Sequence, residues 1–159
     1  MLAVRLILLI FLPVIFLSAC GFHLKGIHKP RSVLVYPTYQ NIDAPFKLVF
    51  QQALRENNML AADASQAKIK ITFIKENWQR RALSVTSTGI PAEYRLSYTL
   101  FYQLDENGSK KKHEMTENKA FTSDNSELLA VESKQARIKQ QIREQLAARI
   151  INVTTSGHF

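Results

Sequence analysis

Glu93-Tyr94-Arg95-Leu96-Ser97-Tyr98-Thr99-Leu100-Phe101-Tyr102-Gln103-Leu104 decides the fold. Tyr94, Leu96, Tyr98, Leu100, Tyr102 and Leu104 occupy every second position. Glu93, Arg95, Ser97, Thr99 and Gln103 take the alternate positions, with Phe101 the one apolar exception. Side chains of a strand point to opposite faces in turn, so this segment has one apolar and one polar face. The pattern predicts an antiparallel sheet covered on one side only. Asp105-Glu106-Asn107-Gly108 follows directly, and Asn-Gly accepts the positive φ of a type I′ hairpin turn. Lys110–Thr122 then returns as a charged, weakly patterned strand, which suits an exposed edge.

Upstream, Ile69, Ile71 and Phe73 share one face while Lys68, Lys70 and Thr72 take the other. This strand is predicted to continue, bent or bulged, through Trp78 and Arg80-Arg81 to Leu83 and Val85. Ser84–Pro91 reads as a loop centred on Gly89. Ser32–Tyr36 is β-branched and closed by Pro37, which predicts a first strand. Asp43-Ala44-Pro45 starts a helix, with a capping residue and a proline in the first turn. Phe46, Val49, Phe50, Ala53 and Leu54 recur at helical spacing, and the helix is expected to end near Asn57-Asn58. Asp124 with Glu127 resembles a capping pair opening a long terminal helix. Its apolar face is Leu128, Val131, Ile138, Ile142, Leu146, Ile150 and Val153. Lys134, Arg137, Lys139, Arg143 and Glu144 are assigned to the outer side.

The predicted class is α+β. The elements run β-α-β-β-β-α, and burying every apolar face requires a two-layer sandwich, with two helices packed on one face of a four-stranded mixed sheet. A helical crossover allows the first two strands to be parallel. Residues 1–19 read as a lipoprotein signal peptide, 20–31 as a lipidated tether, 32–153 as the α/β domain and 154–159 as a frayed tail.

The leader carries Arg5 and then an apolar run of twelve residues from Leu6 to Leu17, interrupted by Pro13. A membrane-spanning helix needs roughly 20 residues. Leu17-Ser18-Ala19-Cys20 resembles the bacterial lipobox, with small residues ahead of the acylated cysteine. An ordinary signal peptide or a short membrane anchor is the alternative. Cys20 is the sole cysteine, so no internal disulfide can form, and acylation gives the thiol a purpose. Each buried methylene contributes about 0.8 kcal/mol, and stable anchoring takes more than one chain. Such lipoproteins resemble one another in carrying three. Gly21 stands where an aspartate usually means inner-membrane retention, which implies the outer membrane and a periplasm-facing domain.

The chain carries a formal charge of +8, which falls to +7 without Arg5. A basic surface favours an anionic partner such as a phosphorylated lipid or an acidic glycan. Secretion sets nucleic acid aside. The alternative is a surface that is merely soluble.

His23, His28, His113 and His158 have no metal-ligand spacing and read as unrelated surface histidines. Ser84, Ser87 and Thr88 lack a nucleophile elbow. With five glycines in the chain there is no phosphate-binding loop, and Glu93 has no second carboxylate beside it. No cofactor, metal or catalytic residue is expected. The chain reads as a binding or assembly module rather than an enzyme.

Cys20-Gly21-Phe22-His23-Leu24-Lys25-Gly26 resembles the C-G-[FW]-H-L-[RK] start of the LPS-assembly lipoprotein LptE family. Leu83-Ser84-Val85 through Gly89 to Ala92-Glu93-Tyr94-Arg95-Leu96 is similar to that family's central loop and strand. The resemblance covers essentially the whole chain after the leader. It implies an outer-membrane lipoprotein that plugs and helps assemble the β-barrel LptD and binds lipopolysaccharide. Arg80, Arg81, Lys68, Lys70, Arg95 and Lys134 are the candidates for lipopolysaccharide contact. Singly each reads as a solvated charge, but like charges on one face raise the local potential. Gly89 and Pro91 are the candidates for a loop that meets the barrel. Some relatives carry a basic residue just before the loop glycine; here Ser87 and Thr88 stand there, which weakens any transfer of the ligand site to the loop. A lipid-carrier accessory lipoprotein of another envelope complex, with no barrel, is the alternative. A secreted hydrolase is the remote third reading.

Overall fold

The computed structural model describes residues 33–122 and 128–156, with Leu128, Leu129 and Ala130 described by backbone alone. The leader, Cys20, the tether, the Asp124–Glu127 pair and the last three residues lie outside them. The described elements are β1 (Val35–Asn41), α1 (Ala44–Glu56), β2 (Ile69–Val85), β3 (Pro91–Glu106), β4 (Ser109–Thr122) and α2 (Leu128–Ser156). The sheet order is β1-β2-β3-β4. β1 and β2 run parallel and the other two pairs antiparallel. The sheet is therefore mixed, and both helices contribute to the core on one of its faces.

β1 starts later than the sequence suggests and runs through Pro37 to Asn41. Proline is tolerated because β1 is an edge strand, where a missing N–H costs no ladder bond on the open side. α1 begins at its cap: Asp43 Oδ1 accepts from Phe46 N at 2.9 Å. Phe46, Phe50 and Leu54, one helical turn apart, are all fully buried. The turn after α1 needs Asn58 at φ 55, a conformation asparagine tolerates.

Phe73 sits at the centre of the core. Its ring meets Tyr39 at 5.4 Å, Phe46 at 5.1 Å, Phe50 at 4.9 Å and Tyr102 at 5.9 Å. Just beyond it the β2–β3 register shifts between Phe73 and Lys75. One extra residue reverses which side chains face the helices. Ile69, Ile71 and Phe73 point to the core before the bulge. After it Glu76, Trp78 and Arg80 pair with Leu100, Tyr98 and Leu96, which share the core side of β3.

The β2–β3 connection is tighter than the predicted Ser84–Pro91 loop, because the strands pair out to Val85 and Pro91. Thr86 N donates to Ile90 O at 2.7 Å and closes the loop. The β3–β4 turn has Asn107 at φ 54 and Gly108 at φ 86, the pair of positive values that Asn-Gly anticipates.

α2 buries Ile138, Ile142, Leu146, Ala147, Ile150 and Ile151. Two assignments are corrected there. Arg143, assigned to the outer side, is buried, because Asp43 supplies a carboxylate 2.6 Å away. Thr154–Ser156, assigned to a frayed tail, are helical, and buried Thr154 Oγ1 donates to Ile150 O at 2.7 Å.

Candidate functional site

The uncovered face of the sheet is built from alternate residues of all four strands. β2 contributes Lys70 and Thr72 before the bulge and Lys75, Asn77, Gln79 and Arg81 after it. Their partners on β3 run from Asp105 to Arg95. None of these residues is buried. Hydroxyl pairs cross the face, with Thr38 Oγ1 2.9 Å from Thr72 Oγ1 and Thr99 Oγ1 2.8 Å from Thr116 Oγ1. Lys75 Nζ lies 4.4 Å from the Phe101 ring centroid, covering the one apolar residue there. The centre is thus mostly hydroxyl and amide around Lys75, with further cations at both ends. Lys70 stands opposite Asp105, which faces Lys110. Arg81 stands directly opposite Arg95. Like charges facing across strands are destabilising unless an anion or water separates them.

The six proposed lipopolysaccharide contacts do not form one cluster. Lys70, Arg81 and Arg95 share the open face, but Lys70 and Arg81 are about 35 Å apart at strand rise. Lys68 precedes β2 and pairs with Glu106 at 3.2 Å. Arg80 faces the helices, because the bulge reverses the side-chain alternation, and lies 4.8 Å from the Tyr94 ring centroid. Lys134 Nζ donates to Thr122 O at 3.0 Å and to Thr122 Oγ1 at 3.1 Å, tying α2 to the end of β4.

Gly89 and Pro91 lie at the β2–β3 tip. Gly89 adopts φ 80 and would meet nothing with an added Cβ, so backbone conformation alone calls for glycine. Every residue from Arg81 to Ile90 is exposed, including the apolar Leu83, Val85 and Ile90. Ser87 and Thr88 are part of this exposed tip.

Under the helices lies a polar network that sequence spacing did not show. Asp43 caps α1 and pairs with Arg143 of α2. Glu76 accepts from Asp43 N at 3.2 Å and from the Tyr98 hydroxyl. Burial, opposed by that Tyr98 bond, pushes the Glu76 carboxyl above its usual range, with Asp43 adding to the rise. Burial and the carboxylate of Glu76 push the Tyr98 hydroxyl well up. Trp78 stacks on Tyr98 with centroids 4.1 Å apart, beneath Arg143 at 5.2 Å and Lys139 at 5.5 Å. Trp78, Lys139 and Arg143 escaped the sequence reading. The available signal was the i, i+4, i+8 stripe of Gln135, Lys139 and Arg143 on α2.

His113 stacks on Tyr102 at 5.4 Å, so it is a packed rim residue rather than a surface one. Among the described residues no three His, Cys, Asp or Glu side chains group as a metal site, and no helix is long and apolar enough to cross a membrane.

The chain matches the family model "LptE: Lipopolysaccharide-assembly" over residues 31–154. The LPS-assembly lipoprotein LptE of Photorhabdus laumondii is 27% identical over 157 residues, covering 96% of this chain and 86% of that protein. Rare lipoprotein B of Shewanella oneidensis superposes with a TM-score of 0.70 at 22% identity, over 79% of this chain and 96% of that one. Lipoprotein B of Nitrosomonas europaea gives 0.67 at 16% identity, over 87% and 92%. The structural likenesses establish the β-α-β-β-β-α fold, and the family match spans the described domain from before β1 into the last turns of α2. The chain therefore belongs to the LptE lipopolysaccharide-assembly family.

Proposed function

We propose that this chain is a periplasm-facing outer-membrane lipoprotein, cut before Cys20 and acylated on it, whose domain plugs and helps assemble the LptD barrel and binds lipopolysaccharide. Residues 20–31 then serve as the tether and 32–153 as the plug. The name of the Photorhabdus relative supports a role in lipopolysaccharide assembly. The observation that carries the plug reading is the open sheet face. A sheet face lined with threonine, serine, asparagine and glutamine, none of them buried, suits a water-filled lumen and would be an ill fit to lipid. The exposed Leu83, Val85 and Ile90 at the hairpin tip give the same body an apolar end for protein contact. The cations at the ends of the face suit the phosphates and acidic sugars of lipopolysaccharide.

The test is recovery of the tagged chain from outer membranes in mild detergent. A large β-barrel retained in constant ratio is the expected result. Recovery from wild-type cells with bound phospholipid and no barrel rejects the plug and favours a lipid-carrier lipoprotein.

A further inference from the structure

On the helix side, α2 and the distal half of β2 meet as a ladder. Gln135, Lys139 and Arg143 lie at i, i+4 and i+8, so they form one stripe along α2 with a rise of about 6 Å per step. Arg80, Trp78 and Glu76 lie two apart on β2, so they share a face about 7 Å per step. The two series match at their first two rungs, and at the third Arg143 and Glu76 both meet Asp43. Arg80 Nη1 donates to Gln135 Oε1 at 3.4 Å. Lys139 Nζ sits 5.5 Å from the Trp78 ring centroid, and Arg143 spans Trp78 and Asp43.

The rungs differ in how their charge is met. Arg143 is neutralised by Asp43 at 2.6 Å. Among the described residues Arg80 has only the long amide bond and the Tyr94 ring. Lys139 has only the Trp78 ring, with no carboxylate or hydrogen-bond acceptor among the described residues. Beside them Trp78 Nε1 is buried and finds no acceptor either. A surface pocket of about 350 Å³ opens at this point, walled by Val131 and Ala136 and edged by Arg80, Gln135, Lys139 and a single carboxylate, Glu132. Donors exceed acceptors, and both unneutralised cations are held against aromatic rings, which limits the conformational freedom an anion would have to remove.

We propose that Arg80, Lys139 and Gln135 form a phosphomonoester subsite. This rests on the lipopolysaccharide-binding reading above and adds to it one phosphate contact on the helix side of the sheet. The guanidinium of Arg80 takes two phosphate oxygens in a fork and Lys139 supplies a point charge. Gln135 turns its amide N–H₂ to the same anion once Arg80 swings off its carbonyl. No sugar stacks on Trp78, because Tyr98 covers one face of the indole and the two cations the other.

Trp78 is the only tryptophan in the chain and lies against Lys139, which edges this pocket, so its fluorescence responds to an anion drawn to Lys139. The full chain in detergent is titrated with a deacylated glucosamine disaccharide bearing a phosphate at each end, with the same disaccharide lacking phosphates, and with inorganic phosphate. The phosphorylated sugar is expected to shift Trp78 emission, inorganic phosphate to compete at higher concentration, and the bare sugar to do nothing. Lys139→Gln should weaken binding about tenfold, the loss expected for one charge-assisted hydrogen bond, and Arg80→Gln, which removes a two-bond fork, should weaken it further. Lys139→Arg should retain it, and Arg55→Gln, an exposed cation in the last turn of α1, should change it less than twofold. Binding seen by equilibrium dialysis with Trp78 silent, or equal losses from Lys139→Gln and Arg55→Gln, overturns the subsite and leaves the broader reading standing. Failure of intact lipopolysaccharide to bind at all overturns both.

Discussion

The two ends of the β2–β3 ribbon share one ladder and are held by different forces. From Ile69 to Phe73 the inward side chains are fully buried under both helices, opposite Leu104 and Tyr102. From Arg81 to Ile90 no side chain is buried, although the strands stay paired to Val85 and Pro91. At the first end, removal of apolar surface from water fixes the pairing. At the second, backbone hydrogen bonds continue a ladder whose side chains add almost nothing, and a two-stranded ribbon alone is marginal. The body therefore carries the stability, and the tip is free to spend its side chains on a partner.

Phe73→Ala is the harshest test of this contrast. It empties the centre of a five-ring cluster and should cost about 3–5 kcal/mol in chemical denaturation. Val85→Ala, at the exposed tip, should stay within about 0.5 kcal/mol. Similar values for the two would erase the distinction.

Next in size is Asp43→Ala, which removes the cap of α1 and strands the buried Arg143 charge. A loss of about 2–4 kcal/mol is expected from equilibrium unfolding. Glu117→Ala breaks the exposed pair with Arg149 and should cost no more than about 1 kcal/mol. The double change Val85→Ser with Ile90→Ser sharpens the functional half. Melting should move by less than about 1 kcal/mol in stability, while recovery of the barrel from membranes falls. Loss of folding with loss of the barrel would make the tip structural.

The smallest effect is a dependence on pH. The folded state raises the Glu76 carboxyl above 4.5, so it holds the proton more tightly than the unfolded chain. Below 4.5 both states are protonated; as pH rises the unfolded state ionises first and the fold weakens. Glu76→Gln keeps an acceptor for Asp43 N and cannot ionise. Its melting temperature relative to wild type should rise modestly between pH 4 and pH 7.5. A flat difference would show that Glu76 ionises freely in the fold.

Much of the architecture could be read from residue order because it follows local rules. The alternation from Tyr94 to Leu104 names the buried face of β3, and Asn107-Gly108 requires the hairpin that places β4 beside it. Asp43-Ala44-Pro45 starts α1, and the spacing of Phe46, Phe50 and Leu54 shows which side is covered. Each of these signals depends on neighbours within a few residues. The candidate site was legible only as a list of cations. Lys70, Arg81 and Arg95 do share the open face, whereas Arg80 does not, since a single extra residue near Ile74 reverses the alternation.

Residue order alone thus determined the elements, their sequence and the apolar face of most of them, because backbone periodicity and turn chemistry act over short range. The tertiary structure decided where β2 bulges, that Pro37 lies within an edge strand, and that Arg143 lies buried against Asp43. It also set Lys139 over Trp78, from an element sixty-one positions away in the chain. Such pairings depend on how α2 lies across the sheet, and burial, charge neutralisation and the sharing of a pocket are properties of that packing rather than of either segment.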